Sequence, residues 1–112
     1  MATSLNRVTL IGYLGRDPEV KDIPTGRMVG LSVATSENWI DKDGQRQERT
    51  EWHRIAIFDD VLMSLASERL KRGARVYKEG QLQTRKWTDE EGTERIRTMV
   101  VLPKYGGRLI LL

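Results

Sequence analysis

A chain of 112 residues with a formal net charge of +3 fits one domain with a single modest core, since domains usually contain about 100 to 150 residues. The absence of cysteine excludes disulfides and thiolate metal sites, and one histidine, His53, is too few for a zinc site. No stretch approaches the roughly 20 apolar residues of a membrane span, and the N-terminal residues lack the apolar region of a secretory signal. We therefore expect a cytoplasmic protein without a membrane partner, metal ion or cofactor.

The first half of the chain predicts three β-strands. Residues 6–14 are rich in Val, Ile, Leu and Thr and end at the turn sequence Gly15–Pro18. Residues 27–36 alternate larger apolar and small side chains, which is typical of a strand with one buried face. The polar residues 37–49 predict a long hairpin loop, and residues 50–58 form the third strand.

One helix is predicted after the third strand. Asp59 or Asp60 can cap its N-terminus, and Gly73 stands where a C-terminal cap is expected. Between them lies an apolar stripe at helical spacing that consists of Val61, Leu62, Leu65, Ala66 and Leu70.

The remaining chain predicts two further strands and a short apolar end. Residues 74–87 and 93–101 flank the turn 89–92 as a second long hairpin, and the apolar run 109–112 follows. Five strands with a helix between the third and the fourth are the layout of an OB-fold, a partly open Greek-key barrel. We therefore expect an all-β protein with one OB-fold domain over residues 1–112.

Alternate residues along the strands separate an aliphatic face from an aromatic and basic face. In the third strand, Ile55 and Ile57 share one parity, whereas the other parity combines two large aromatic residues with an arginine: Trp52, Arg54 and Phe58. The corresponding face of the second hairpin carries Arg75, Gln81, Gln83, Arg85 and Trp87 on one strand and Arg95 and Arg97 on the other. A third tryptophan, Trp39, lies in the polar stretch, where a purely structural role is less obvious.

Basic residues are concentrated in one part of the chain. Only one acid, Glu79, accompanies the seven cations Arg69, Lys71, Arg72, Arg75, Lys78, Arg85 and Lys86. Such a cluster indicates an anionic partner, although a solvated helix end and sheet face would have the same composition. Exposed rings beside cations suit unpaired bases, because rings stack on bases while cations contact phosphates, and a duplex hides its base faces. We therefore predict a non-catalytic module that binds single-stranded DNA.

The chain also resembles a known family, the bacterial single-stranded DNA-binding proteins. The resemblance covers nearly all 112 residues, in blocks that follow in order at the family's spacing: Asn6–Val8, Gly12–Val20, Ala34–Glu37, Thr50–Arg54, Tyr77, Glu79–Leu82 and Thr84–Asp89. It implies a homotetramer of OB-folds that wraps single-stranded DNA in DNA replication, recombination and repair, at the nucleoid.

The resemblance implies individual site residues as well. The family's stacking aromatics match Trp39, Trp52, Phe58 and Trp87. Its phosphate-contacting cations match Arg7, Lys42, Arg54, Arg72, Arg85 and Lys86. The subunit interface is expected to include His53 and Tyr77, and the alternative for His53 is an ordinary core histidine.

Two departures from the family limit this transfer. Asp59 and Asp60 follow Phe58, where family members often carry a basic residue, so we expect weaker binding or a smaller site there. Family members also continue into a flexible tail with an acidic tip that recruits replication and repair proteins. This chain ends at Leu112, so we expect such partners only if the natural chain carries the tail.

Three other functions compete with DNA binding. An enzyme is disfavoured because the sequence has no Gly-rich phosphate loop, nucleophile elbow or metal-spaced His and Cys set. An OB-fold accessory protein that binds proteins or RNA would lack part of the stacking set. A structural oligomer would bury Trp52 and Trp87.

Overall fold

The computed structural model describes residues 3–24 and 26–112, and within them it contains seven strands and one helix. The elements in chain order are β1 (Val8–Leu14), β2 (Glu19–Ile23), β3 (Gly26–Ile40), β4 (Arg46–Ile57), α1 (Asp60–Arg69), β5 (Arg75–Thr88), β6 (Glu94–Leu102) and β7 (Arg108–Leu111). Most of the chain is therefore β-structure, as the residue patterns predict.

Five of the strands close into a barrel. They follow the order β1, β3, β4, β6 and β5, and β5 pairs back with β1. All neighbours are antiparallel except β4 and β6, which run parallel in the register Ile55↔Val100. Helix α1 connects the third and fourth strands of this barrel. The predicted five-stranded OB-fold with one helix is confirmed.

The core lies inside the barrel. Val29, Leu31 and Val33 of β3 are buried, and the small residues between them are only partly covered. They pack with the inner residues of the other barrel strands, with Ala66 of α1 and with Leu70 at the C-terminal end of the helix. Because one face of each strand is buried, a slip of one residue in register would expose the whole core face.

The helix begins where the sequence predicts and ends earlier. The Asp59 carboxylate accepts hydrogen bonds from the Val61 and Leu62 amides at 2.9 and 3.1 Å, so Asp59 and not Asp60 is the N-cap. The helix ends at Arg69, and the expected C-cap Gly73 instead lies in the following turn, where its φ is +89°. In the described residues, no helix has the length and apolar character needed to span a membrane.

Two strand predictions are wrong for the same reason. The predicted loop 37–49 is mostly strand, because β3 runs to Ile40 and β4 begins at Arg46. Strand β2 is absent from the sequence-based prediction. Both segments extend away from the core, so their polar side chains are exposed on both faces and leave no apolar alternation to recognise.

The apolar pattern also overstates burial at three positions. Val61 in the predicted helix stripe is 76% exposed, so it is not part of the core. Leu82 and Ile96 have the parity of the core face but are 48% and 65% exposed. They belong to the part of the β5–β6 hairpin that projects beyond the barrel.

The two projecting hairpins end in turns of the same construction. In the first, the Asp41 carboxylate accepts from the amides of Asp43 and Gln45 and from the Gln47 side chain, each at 2.9 Å. In the second, Asp89 accepts in the same way from Glu91, Thr93 and Arg95 (3.0, 2.9 and 2.9 Å). Gly44 and Gly92 follow with φ of +76° and +81°, which favours glycine. The Asp carboxylates thus stabilise both hairpins locally.

Candidate nucleic-acid interface

A groove of about 760 Å³ runs across the outer faces of β3, β4, β6 and β5. Strand β2 and the β5–β6 hairpin form its two walls. Part of the aromatic and basic face that the sequence predicts lies in this groove. Arg54 and Phe58 line one side of it, and Arg85, Trp87 and Arg97 line the other.

Trp52 lies beyond Arg54 on the same face of β4, outside the groove lining, and is 60% exposed. Its strand neighbour is Ala34, whose small side chain leaves space for the indole. The indole packs on Gly15, where an added Cβ would collide with the ring. Gly15 therefore positions Trp52, whereas the sequence pattern alone assigns Gly15 only to a turn.

Phe58 and Arg85 form a pair inside the groove. The Arg85 guanidinium carbon lies 4.5 Å from the centroid of the Phe58 ring, which is the geometry of a cation–π contact. The Arg85 Nε is buried without a hydrogen-bond partner in the described part of the chain. Arg85 also lies directly opposite Arg97 in the β5–β6 register. Like charges in register repel, so this pair favours an anion between them.

Trp87 stands near the end of the β5–β6 hairpin and is 41% exposed. Its register partner, Arg95, is bound to Asp89 at 2.9 Å, and this ion pair lowers the pKa of Asp89, together with the Thr93 amide. Arg95 is therefore already neutralised, whereas Arg97 on the same face has no ion pair among the described residues.

The groove carries a strong positive charge. Six basic residues and two acidic ones line it, and one of these basic residues, Lys21, is paired with Glu19 at 3.8 Å. The other five have no ion pair within residues 3–24 and 26–112; they are Arg16, Arg54, Arg85, Lys86 and Arg97. Clustered cations of this kind attract and orient an anionic polymer.

Five predicted contacts do not line the groove: Trp52, described above, and the four that follow. The β3–β4 register places Trp39 on the opposite face of that hairpin from Trp52, although its side chain is 44% exposed. Lys42 lies at the hairpin tip. Arg7 pairs with Glu79 at 3.3 Å on the other side of the barrel. The Arg72 amide donates to Asp17 at 2.8 Å, which fixes the backbone beyond the helix.

The two predicted interface residues occupy different surroundings. Tyr77 lies on the outer face of the β1–β5–β7 sheet, in a row between Ile11 and Ile110, which are 48% and 43% exposed. His53 has the inward parity of β4, is half-buried, and its Nε2 lies 2.8 Å from the Thr35 hydroxyl. Tyr77 thus belongs to an exposed apolar row, and His53 borders the core.

One buried cation has no counterpart among the predicted site residues. Lys78 is fully buried between Leu10 and Leu109 on the inner face of β5, and its Nζ has no hydrogen-bond partner within the described residues. Burial lowers its pKa to about 7. Burial also lowers the pKa of His53, and the nearby Lys78 charge adds to that effect.

The described residues contain no group of three or more His, Cys, Asp or Glu side chains that could hold a metal ion.

Sequence comparisons agree with this arrangement. The model of the Single-strand binding protein family matches residues 5–106. The single-stranded DNA-binding proteins of Rickettsia typhi and Rickettsia prowazekii are each 48% identical to the chain, over all of its length and 75% of theirs.

Solved structures show the same similarity in three dimensions. A Plasmodium falciparum SSB in complex with single-stranded DNA superposes with a TM-score of 0.84 and 35% identity, over 100% of this chain and 98% of that one. A deletion mutant of the single-stranded DNA binding protein from Thermus aquaticus superposes with a TM-score of 0.74 and 26% identity, over 96% of this chain and 50% of that one.

Proposed function

The chain belongs to the single-strand binding protein family, and on that premise we propose that it binds single-stranded DNA by stacking bases along the groove. Trp52, Phe58 and Trp87 are the stacking residues. The cations of the groove contact the phosphates. Binding is independent of sequence, because every base has a face that can stack and none of these contacts reads a base edge.

The observation that carries this proposal is the convergence of rings and unpaired cations on one surface. Each of two rings is held by one contact within the chain, since Trp52 packs on Gly15 and Arg85 lies over Phe58. Such rings are held in place before DNA arrives, so less side-chain entropy is lost on binding.

Asp59 does not act as a free acid beside this path. Its carboxylate accepts backbone hydrogen bonds from the first turn of α1, and the pKa of Asp59 is lowered chiefly by the Leu62 amide. The lowered pKa keeps Asp59 ionised, so the expected loss of affinity rests on the negative charges of both Asp59 and the exposed Asp60.

The remaining predicted residues fit a longer path or an assembly. Homotetramers are typical of the family. We propose that Tyr77 and its apolar neighbours face a partner subunit, with His53 beside the core. Trp39 and Lys42 then serve DNA that continues over the β3–β4 hairpin, and Arg7 and Arg72 serve DNA that wraps further. We place this non-catalytic work in replication, recombination and repair, in the cytoplasm at the nucleoid.

The test is a titration of tryptophan fluorescence with oligo-dT at low and high salt, beside a duplex of equal length. We expect quenching by the single strand alone and an affinity that falls as salt rises. Trp52→Ala should weaken binding of a short oligonucleotide of about 8 nucleotides by roughly tenfold, at about 1 to 3 kcal/mol per stacked base.

Trp39→Ala is the matched control, because it removes an exposed indole from the opposite face of the same hairpin. It should leave the short oligonucleotide unaffected and weaken only longer ones. Equal loss for both variants with the short oligonucleotide, or no quenching at low salt, would contradict the proposed base platform.

A further inference from the structure

The turn between β6 and β7 holds an aromatic residue in an unfavourable backbone conformation. Tyr105 has a φ of 65°, and it is the only non-glycine residue with a positive φ in residues 3–24 and 26–112. The Gly106 amide donates to the Pro103 carbonyl at 3.3 Å, so Tyr105 occupies the third position of a four-residue turn. A positive φ at this position favours glycine or asparagine, whereas a Cβ and a ring are disfavoured.

The side chain of Tyr105 gains no packing from this conformation. Its side chain is 98% exposed and packs on no core residue. Gly106 and Gly107 follow directly, so glycine stands beside the position with the positive φ and not at it. Backbone strain that stability does not explain is typical of residues that bind a ligand.

The turn is fixed next to the groove. The Phe58 amide donates to the Leu102 carbonyl at 3.0 Å, which joins the end of β4 to the end of β6. The Tyr105 amide donates to the Asp59 carboxylate at 3.2 Å. The same carboxylate caps α1, so Asp59 connects the helix start, the residue after Phe58 and the turn that presents Tyr105.

The local charge also suits a nucleotide. Lys104 precedes Tyr105, forms no ion pair within the described residues, and its charge helps to lower the pKa of Asp59, after the backbone hydrogen bonds to that carboxylate. A ring with a cation beside it in sequence repeats the pair Lys86–Trp87, and the groove also pairs Arg85 with Phe58 in space. A ring stacks on a base while the adjacent cation meets the phosphate.

We infer that Tyr105 and Lys104 form an additional contact for one nucleotide, which extends the stacking path beyond Phe58. This contact rests on the proposed function of the groove. Tyr105 stacks on the base, Lys104 contacts its phosphate, and Asp59 holds the turn in place.

Substitution of Tyr105 separates binding from stability. Tyr105→Gly and Tyr105→Asn remove the ring and fit a positive φ, so Tm should be no lower than that of the parent. Their affinity for oligo-dT should fall by about 5- to 10-fold, the loss of one stacked base. Tyr105→Phe keeps the ring and should bind like the parent. Lys104→Gln should reduce the slope of log K against log salt by about 0.7.

Oligonucleotide length adds a second criterion. The weaker binding of Tyr105→Gly should appear with oligo-dT of about 16 nucleotides and be absent with the shortest oligonucleotide that binds, which fills only the groove. An unchanged affinity at every length overturns the inference. A lower Tm or a changed oligomeric state in Tyr105→Gly indicates a structural role and overturns it as well.

The same experiment distinguishes this inference from the proposed function. If Trp52→Ala weakens binding and Tyr105→Gly does not, the groove is the platform and the extension through Tyr105 is wrong. If neither variant weakens binding, the stacking function of the groove is itself wrong.

Discussion

Strand β5 passes through two environments, and its side chains behave differently in each. Within the barrel, Arg75–Gly80 alternates partly or fully exposed residues with buried ones. Beyond the barrel, Leu82–Thr88 keeps the alternate directions, but none of its side chains is fully buried. The same backbone geometry therefore produces a core wall in one half and a surface with two free faces in the other.

The difference shows where each half obtains its stability. The barrel half is held by apolar burial. The hairpin half is held by its Asp89 turn and by cross-strand hydrogen bonds such as Thr84 to Thr98 at 3.0 Å, and Ser36 to Thr50 does the same in the other hairpin. Because core packing does not use the side chains of the hairpins, their rings and cations are available for DNA.

The largest expected effect concerns Lys78, a charged residue that is buried in the barrel half of β5. Lys78 is buried in the barrel half with a pKa of about 7, below the usual 10.5. Between pH 7 and 10.5 the unfolded chain binds a proton at Lys78 that the folded chain does not, so stability rises with pH by about 1.4 kcal/mol per unit. Below pH 7 both states are protonated and the full cost remains.

We expect Lys78→Met to be more stable than the parent by on the order of 2 to 5 kcal/mol at pH 7, and the gain should shrink as the pH rises toward 10.5. Denaturant unfolding at pH 7, 8 and 9 measures both effects. The control is Lys86→Met in the hairpin half, which should alter stability little at any of these pH values. A constant gain across the pH range would show that folding does not lower the pKa of Lys78.

Sequence patterns predict the barrel half well, because apolar residues that are buried alternate there with residues that are exposed. The apolar parity of Val29, Leu31 and Val33 and the Asp59 cap each follow from a local rule. Lys78 breaks that rule, since a lysine in an apolar row reads as solvent-exposed, and only the closed barrel shows that β1 and β7 cover it.

The candidate site was only partly predictable for a related reason. Parity along β4 and β5 predicts a common surface for Trp52, Phe58 and Trp87; Phe58 and Trp87 line the groove, and Trp52 lies on the same face of β4 outside its lining. The polar stretch around Trp39 predicts a loop, whereas the face of Trp39 depends on a pairing register that begins many residues away. The contact of Gly15 with Trp52 joins different parts of the chain, so no local pattern contains it.

The second test asks whether the barrel half positions the rings of the hairpin half. Gly15→Ala places a methyl group against the Trp52 indole and should displace it. We expect affinity for short oligo-dT to fall by about 1 to 2 kcal/mol, and the intrinsic fluorescence of the free protein to change. Fluorescence titration measures both.

A double-mutant cycle identifies the route of this effect. If Gly15 acts only through Trp52, then Gly15→Ala in a Trp52→Ala background should cost no further affinity. Additive effects would mean that Gly15 contributes to binding independently, for example through the shape of the β1–β2 turn.

The smallest expected effect compares an arginine of the β5–β6 hairpin with an arginine next to a barrel strand. Arg97 lies in the groove of the β5–β6 hairpin and has no ion pair among the residues described, whereas Arg7 precedes the barrel strand β1 and pairs with Glu79 at 3.3 Å. Removal of one cation that binds a phosphate should lower the slope of log K against log salt by about 0.7. Arg97→Gln should show this reduction with short oligo-dT, and Arg7→Gln should not. Equal reductions would mean that short DNA also contacts the far side of the barrel. The groove beside the β5–β6 hairpin would then not be the only binding surface for a short oligonucleotide.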